Sequence, residues 1–186
     1  MIRKNEPLTP SPRCQTRVLF VCWGNICRST AAQFIFEDKI AEMGIAEQFF
    51  VDSAATSTEE IGNGIYPPMY EELKRRGIGN NPMLSVEQNR EIRRKMETEQ
   101  ARQITSRDYE KYDYILIAEP MLARHVAYQT GPDRDNKVHC LMEWAVAEKT
   151  ANSLEISDPW YTRNFSKACD DVTIGCEAFL RYLGFE

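Results

Sequence analysis

The chain has 186 residues, 42% hydrophobic and 27% charged, a balance that suits one globular domain with a substantial core. Its 28 acidic and 23 basic side chains leave a formal net charge of −5, which gives no electrostatic footprint for nucleic acid. No apolar run approaches the ~20 residues of a membrane span, so neither a membrane nor a nucleic acid is expected as a partner.

Residues 1–16 are polar and proline-bearing, without the apolar stretch of a secretory signal, and read as a disordered lead-in to a domain over 17–186. Arg17–Val21 is a short apolar run of the kind that forms a fully buried strand. From Ala31 to Ala41, apolar Ala31, Phe34, Ile35 and Ala41 alternate with charged positions at helical spacing, and Gly44 is the natural stop. Phe49–Val51 reads as a second strand entering a polar turn over Asp52–Thr58. Gly62, Gly64, Pro67 and Pro68 mark a loop, and Met69–Arg76 is a short helix ended by Gly77.

Gly79–Glu99 is dense in charge, with Val86, Ile92 and Met96 as a thin apolar stripe. It reads as a solvated helix, with partner recognition as the alternative, started by a Ser85/Gln88 capping box and supported by a Glu91–Lys95 pair. Tyr114–Ala118 is a third strand, followed by a helix from Pro120 to Gly131, and Val138–Met142 a fourth strand. Asn164 caps a long final helix with an apolar stripe at Ala168, Val172, Cys176, Phe179, Leu180 and Leu183. Buried strands alternating with helices define an α/β fold with a parallel sheet, whose site lies beyond the carboxyl ends of the strands.

The segment at that place is Cys22-Trp23-Gly24-Asn25-Ile26-Cys27-Arg28-Ser29. A thiol ends the first strand, and an arginine and a serine begin the first helix. The turn between them can aim its N–H groups inward, at the positive end of the helix dipole, and so cradle a phosphate-sized dianion. Cations and amides of this kind turn a thiol into a thiolate at neutral pH, ready to attack phosphorus and form a phosphocysteine. Arg28 has the planar fork that matches two phosphoryl oxygens. Gly24 allows a tight turn, Asn25 tolerates a left-handed backbone and braces the loop, and Ser29 can donate to the sulfur. The leaving oxygen needs a proton, for which Asp158 in Ser157-Asp158-Pro159-Trp160-Tyr161 is the candidate acid.

Six cysteines without a C-x-x-C pair, beside only two histidines, give no structural metal pattern. A free thiolate requires a reducing setting, so a cytoplasmic location is expected. Cys27 lies close enough in sequence to resolve an oxidised Cys22 as a disulfide, although a spare cysteine is more often a small packing residue. Tyr161, beside the acid, is a candidate phosphorylation site.

The cysteine loop occurs in order with Val51-Asp52-Ser53-Ala54-Ala55-Thr56-Ser57, Arg102-Gln103-Ile104-Thr105, Tyr112-Asp113-Tyr114-Ile115-Leu116 and Asp158-Pro159-Trp160. In these residues the chain resembles the low-molecular-weight protein tyrosine phosphatases, from Arg17 to Leu183 with an interruption around Gly79–Glu99. The resemblance implies a four-stranded parallel sheet in order 2-1-3-4 flanked by helices on both faces, with no cofactor and no metal. It implies Cys22 as nucleophile, Arg28 as phosphate binder and Asp158 as general acid. It also implies that Asn25, Ser29 and Ser53 form a network holding the loop, and that Trp23, Trp160 and Tyr161 line the entrance. Trp23, Gly24, Asn25, Ile26, Cys27, Ser29, Ser53, Trp160 and Tyr161 thus form the expected substrate-binding set. Phosphotyrosine proteins or peptides are the implied substrates, and free phosphate or other oxyanions the competing ligands.

The chain departs from that pattern at four places: Thr30 instead of proline, Glu119 instead of an aspartate, Glu99 near the position of a histidine, and Glu59 where many members carry an aromatic. The acidic rim at Glu59 should repel acidic substrates. Arsenate reductases share the architecture but use two further cysteines, whereas Ile78–His139 contains none. Protein arginine phosphatases place threonine where Ile26 stands here. The remaining alternative, a non-catalytic phosphate-binding adaptor, has no use for Cys22, Arg28 and Asp158 together.

Overall fold

The structure, a computed structural model, describes residues 15–185. The expectation for the lead-in falls almost entirely outside them; Thr16, placed in it, is instead the first residue of a strand. That strand, β1 (Thr16–Cys22), is central. It pairs in parallel with β2 (Phe49–Ala55) from Thr16–Phe49 to Cys22–Ala55, and with β3 (Tyr114–Ile117) from Val18–Tyr114 to Val21–Ile117. β4 (Val138–Cys140) adds to β3, giving the order β2-β1-β3-β4. Successive strand residues point to opposite faces, yet Val18 to Cys22 are all at most 3% exposed. Both faces of β1 are therefore covered, as its unbroken apolar run requires.

Helix α1 (Arg28–Glu42) leaves the end of β1 after a five-residue turn and packs back on β1 and β2. It lies beside the last helix, α8 (Phe165–Tyr182), which Asn164 caps by accepting the Lys167 N–H. Phe36 of α1 joins the two layers, 5.6 Å from the ring of Phe20 and 6.0 Å from that of Phe179. The largest buried side chains, including Phe20, Phe34, Phe36, Phe179 and Tyr112, form one continuous core.

Several boundaries differ from the sequence expectations. β2 continues through Ala55, because each of its residues finds a partner on β1; the expected turn starts only beyond it. Pro67 and Pro68 open α2 (Pro67–Arg75) rather than extend the loop, since neither needs an N–H donor there. β3 stops at Ile117 and β4 at Cys140. α5 (Leu122–Thr130) starts two residues after Pro120, because the turns Leu122 N to Glu119 O and Ala123 N to Pro120 O come first.

α3 (Val86–Thr98) has the expected Ser85/Gln88 capping box, but it is not merely solvated. Ile92 and Met96 are buried, and the helix packs on α1. Glu91 pairs with Arg94, not with Lys95, which turns inward to Glu37. α4 (Ser106–Lys111), α6 (Glu143–Ala147) and α7 (Pro159–Thr162) were not anticipated. Six residues or fewer are too short to display a helical period. No described helix is long and apolar enough to cross a membrane.

Candidate active site

Parallel strands bring the ends of β1, β2 and β3 to one edge, and the segment Cys22–Arg28 crosses that edge. Its sharpest bend is at Asn25, with φ of +59°. Asparagine can hold this left-handed conformation when its side chain bonds locally. Gly24 does not need a positive φ. It is small because Glu60 lies over it, and a Cβ there would meet Glu60 Cγ at 3.1 Å.

Cys22 is 3% exposed, and its sulfur accepts the Asn25 N–H at 3.2 Å and faces Ser29 Oγ at 3.1 Å. Beneath the loop, Asn25 Nδ2 donates to Ser29 Oγ at 3.0 Å and to Ser53 Oγ at 2.8 Å. Its Oδ1 accepts the Arg102 N–H at 3.2 Å. Asn25, Ser29 and Ser53 are all at most 2% exposed and none lies on the pocket wall. Their side chains support the loop from behind. Thr30, standing in place of proline, donates to the Cys27 carbonyl at 2.9 Å and lies in the first turn of α1.

Above the loop is a cavity of about 410 Å³, walled by Trp23, Gly24, Ile26, Cys27, Arg28 and, from other segments, Met121, Trp160 and Tyr161. The ring of His125 meets that of Trp23 edge-on at 5.1 Å. Trp23, Trp160 and Tyr161 line the cavity and are 38%, 42% and 83% exposed. Arg28 is the cation of the pocket. Its Nη2 lies 2.8 Å from Asp158 Oδ2 and its Nη1 3.0 Å from Glu119 Oε1, with the guanidinium almost wholly buried. The longer Glu119 thus still reaches the arginine. Asp158 also caps α7 by accepting the Trp160 N–H at 2.9 Å. The segment carrying it is tied to the residue just after β3 by Ile156 N to Ala118 O.

The mouth is acidic. Glu59 accepts the Trp23 indole N–H at 3.0 Å, and Glu60 the Asn63 amide at 2.7 Å; neither has a cationic partner among the described residues. Burial pushes the Cys27 thiol well above its ordinary range, and the neighbouring Cys22 and Asp158 add to it.

Sequence reasoning missed Glu60, Met121 and Gln33. Gln33 Oε1 accepts from Ser53 Oγ at 2.6 Å, extending the network beneath the loop. A signal for it exists: Ser29, Gln33 and Glu37 recur every four residues, a polar stripe that is buried along with most of the helix.

A buried sulfur on a tight turn, with a buried arginine and two carboxylates in the cavity above that turn, is an arrangement suited to binding a phosphate group on an α/β sheet. The sequence profile described as low molecular weight phosphotyrosine protein phosphatase matches residues 17–96 and 85–186, two overlapping pieces that meet at α3. The human low molecular weight phosphotyrosine protein phosphatase is 35% identical over 168 residues, covering 88% of this chain and 92% of its own. The Bacillus subtilis low molecular weight protein-tyrosine-phosphatase YfkJ is 31% identical over 163 residues, with the same coverage. The crystal structure of YfkJ superposes with a TM-score of 0.76 at 29% identity, covering 92% of this chain and 96% of that one. The chain belongs to the low molecular weight phosphotyrosine protein phosphatase family, and is a phosphoric monoester hydrolase.

Proposed function

We propose that the protein hydrolyses phosphotyrosine in proteins or peptides, in two displacements at phosphorus. The Cys22 thiolate attacks the phosphorus while the tyrosine oxygen leaves with a proton from Asp158, forming a phosphocysteine. Asp158, now a carboxylate, takes a proton from water as that water attacks the phosphorus. The P–S bond breaks, Cys22 regains its electron pair, and the Ser29 hydroxyl stabilises the departing thiolate. Arg28 and the loop amides hold the three equatorial oxygens throughout.

The observation that carries this reading is the position of Arg28, buried in the pocket and held by two carboxylates. The pairs preset the fork, and an entering phosphate dianion displaces Asp158 from it. The freed carboxyl then lies beside the ester oxygen, where an acid is needed. Ile26 and the three entrance aromatics favour a phenyl ring over a guanidinium, and so phosphotyrosine over phosphoarginine. Glu59 and Glu60 favour peptides with basic residues around the phosphotyrosine.

Rapid-mix kinetics with p-nitrophenyl phosphate, a phosphotyrosine peptide, phosphoarginine and arsenate test the reading. A burst of nitrophenol with turnover of the peptide alone among the other three is the expected result. Turnover of phosphoarginine or arsenate without the peptide would refute it.

The same chemistry implies a reducing compartment, the cytoplasm, and gives Cys27 a role. Peroxide converts Cys22 to a sulfenic acid, and the Cys27 thiol attacks that sulfur, forming a disulfide and releasing water. If peroxide-treated Cys27→Ser protein recovers with dithiothreitol as fully as wild type, Cys27 is a packing residue only. Tyr161, exposed at the mouth, is the position where phosphorylation would alter entry.

A further inference from the structure

Along the cysteine loop, Ile26, Cys27 and Arg28 line the cavity from buried positions, whereas Trp23 lines it while 38% exposed. An indole so placed has several staggered rotamers open to it, toward solvent or across the mouth, unless neighbours hold it. Its backbone is held first. The pairing of β1 with β2 ends at Cys22–Ala55, and the chain beyond β2 keeps following the loop. Thr56 N–H donates to the Cys22 carbonyl at 2.9 Å, and Ser57 N–H to the Trp23 carbonyl at 3.0 Å.

The same segment holds the side chain. Trp23 Nε1 donates to Glu59 Oε2 at 3.0 Å, and Glu59 N–H donates to Ser57 Oγ at 3.4 Å, so the acceptor stands on the braced stretch. From another element, α5, the ring of His125 meets the indole at 5.1 Å, with 84° between the planes. Met121, with helical backbone angles, precedes His125 by four residues, so both lie on one face of that element, and Met121 lines the cavity. His125 Nδ1 is enclosed without a hydrogen-bond partner among the described residues; what His125 offers the indole is a ring.

The charge of Glu59 works against its place. A carboxylate at the mouth of a cavity suited to a phosphate dianion repels the ligand, and Glu59 has no cationic partner among the described residues. Its oxygen gives what a neutral side chain gives less well: a charge-assisted acceptor for the indole N–H.

We propose that Glu59 and His125 are positioning residues that lock the Trp23 indole as a fixed wall of the cavity, and that the preference for aryl over alkyl phosphates depends on this lock. A wall already in place spares the ligand the ordering of a mobile side chain, so the lock acts on binding of the ring and not on the bond-breaking steps. It rests on the reading of the cavity as a phosphotyrosine site, and separates two tasks of Glu59: its charge acts on residues flanking the phosphotyrosine, its oxygen on the wall.

The test titrates phenylphosphonate and methylphosphonate into the protein by calorimetry, beside kcat and KM for p-nitrophenyl phosphate. The ratio of the two Kd values reports the ring, because a charge on the rim acts on both anions alike. Glu59→Ala should lower the preference for phenylphosphonate about three- to ten-fold and raise KM by a similar factor, with kcat within about two-fold of wild type. His125→Ala should act in the same direction, and His125→Phe, which keeps a ring, should restore the ratio. Glu59→Gln, which keeps an acceptor oxygen, should recover most of it. Phenylalanine has no N–H, so adding Glu59→Ala to Trp23→Phe should lower the ratio no further. A wild-type ratio in Glu59→Ala or His125→Ala overturns the proposal, as does an equal loss from Glu59→Ala with and without Trp23→Phe. Wild-type protein that prefers phenylphosphonate yet hydrolyses no phosphate ester refutes the phosphatase reading instead, and leaves the binding comparison intact.

Discussion

The floor of the pocket and its rim are built on opposite plans. The floor is one continuous piece of chain, Cys22 to Ser29, whose polar side chains are buried and bonded to one another. The rim comes from three separate segments, around Glu59, Met121 and Trp160, and its aromatics and carboxylates face solvent. A buried polar network must be satisfied almost completely, because each orphaned group costs about 1–3 kcal/mol, so the floor tolerates little change. The rim is screened by water and can vary in charge without unfolding the protein. On the proposed mechanism, reaction type resides in the floor and substrate choice in the rim.

Breaking the floor should produce the largest effect. Cys22→Ser is expected to lower turnover of p-nitrophenyl phosphate by at least ~10³-fold while vanadate still binds, because the cradle survives without its nucleophile. Loss of vanadate binding together with turnover would show the loop itself had collapsed.

Asp158 stands where floor and rim meet. Asparagine retains the oxygen that caps α7, so Asp158→Asn isolates the acid from the cap. It should slow phenyl phosphate by roughly 10²–10⁴-fold and p-nitrophenyl phosphate far less, since a nitrophenolate leaves without a proton. Equal slowing of both esters would remove Asp158 from the role.

A change confined to the rim should alter preference alone. For wild type, kcat/KM for a phosphotyrosine peptide flanked by lysines should exceed that for one flanked by glutamates, by about ten-fold at low salt. The Glu59→Gln/Glu60→Gln double variant should reduce that ratio to about two once each value is divided by its rate on p-nitrophenyl phosphate. A ratio that ignores both the substitutions and the salt would make the acidic mouth incidental.

The smallest effect concerns the back of the floor. Burial, with Asp52 and Glu37 nearby, raises Glu99 from an ordinary 4.5 to about 7. The folded state thus holds this proton more tightly than the unfolded one. The stability Glu99 contributes is whole below pH 4.5 and lost as pH rises through 7. Glu99→Gln should therefore gain on wild type in urea melts across that interval, by about 1 kcal/mol after allowance for solvent screening. A constant difference between the two proteins from pH 4.5 to pH 8 would contradict the assignment.

Cys22, Arg28 and the buried strand before them could be read as a candidate site in the sequence because they are neighbours in the chain. Only local backbone geometry separates the residues from their function. The order of the sheet could be expected from the resemblance, and the long helices α1 and α8 from their periodicity. Short α4, α6 and α7 had too few residues to show one. Lys95 was misread as the partner of Glu91 because i,i+4 spacing describes an isolated helix. Once α3 packs on α1, a buried carboxylate attracts that ammonium more strongly than an exposed one. Gln33 was overlooked for the related reason that its role appears only when β2 brings Ser53 beside α1.

By itself the sequence determined the chemistry: a thiol, a turn of amides and a guanidinium at a strand-to-helix junction, all within eight consecutive residues. Tertiary structure decided what surrounds that chemistry. It set the two carboxylates on Arg28, the acidic mouth, and the network beneath the loop that reaches Gln33, because each requires groups distant in the chain to meet where water is largely excluded. In that setting the energy of a charge depends on which neighbours fold against it, and no local pattern records them.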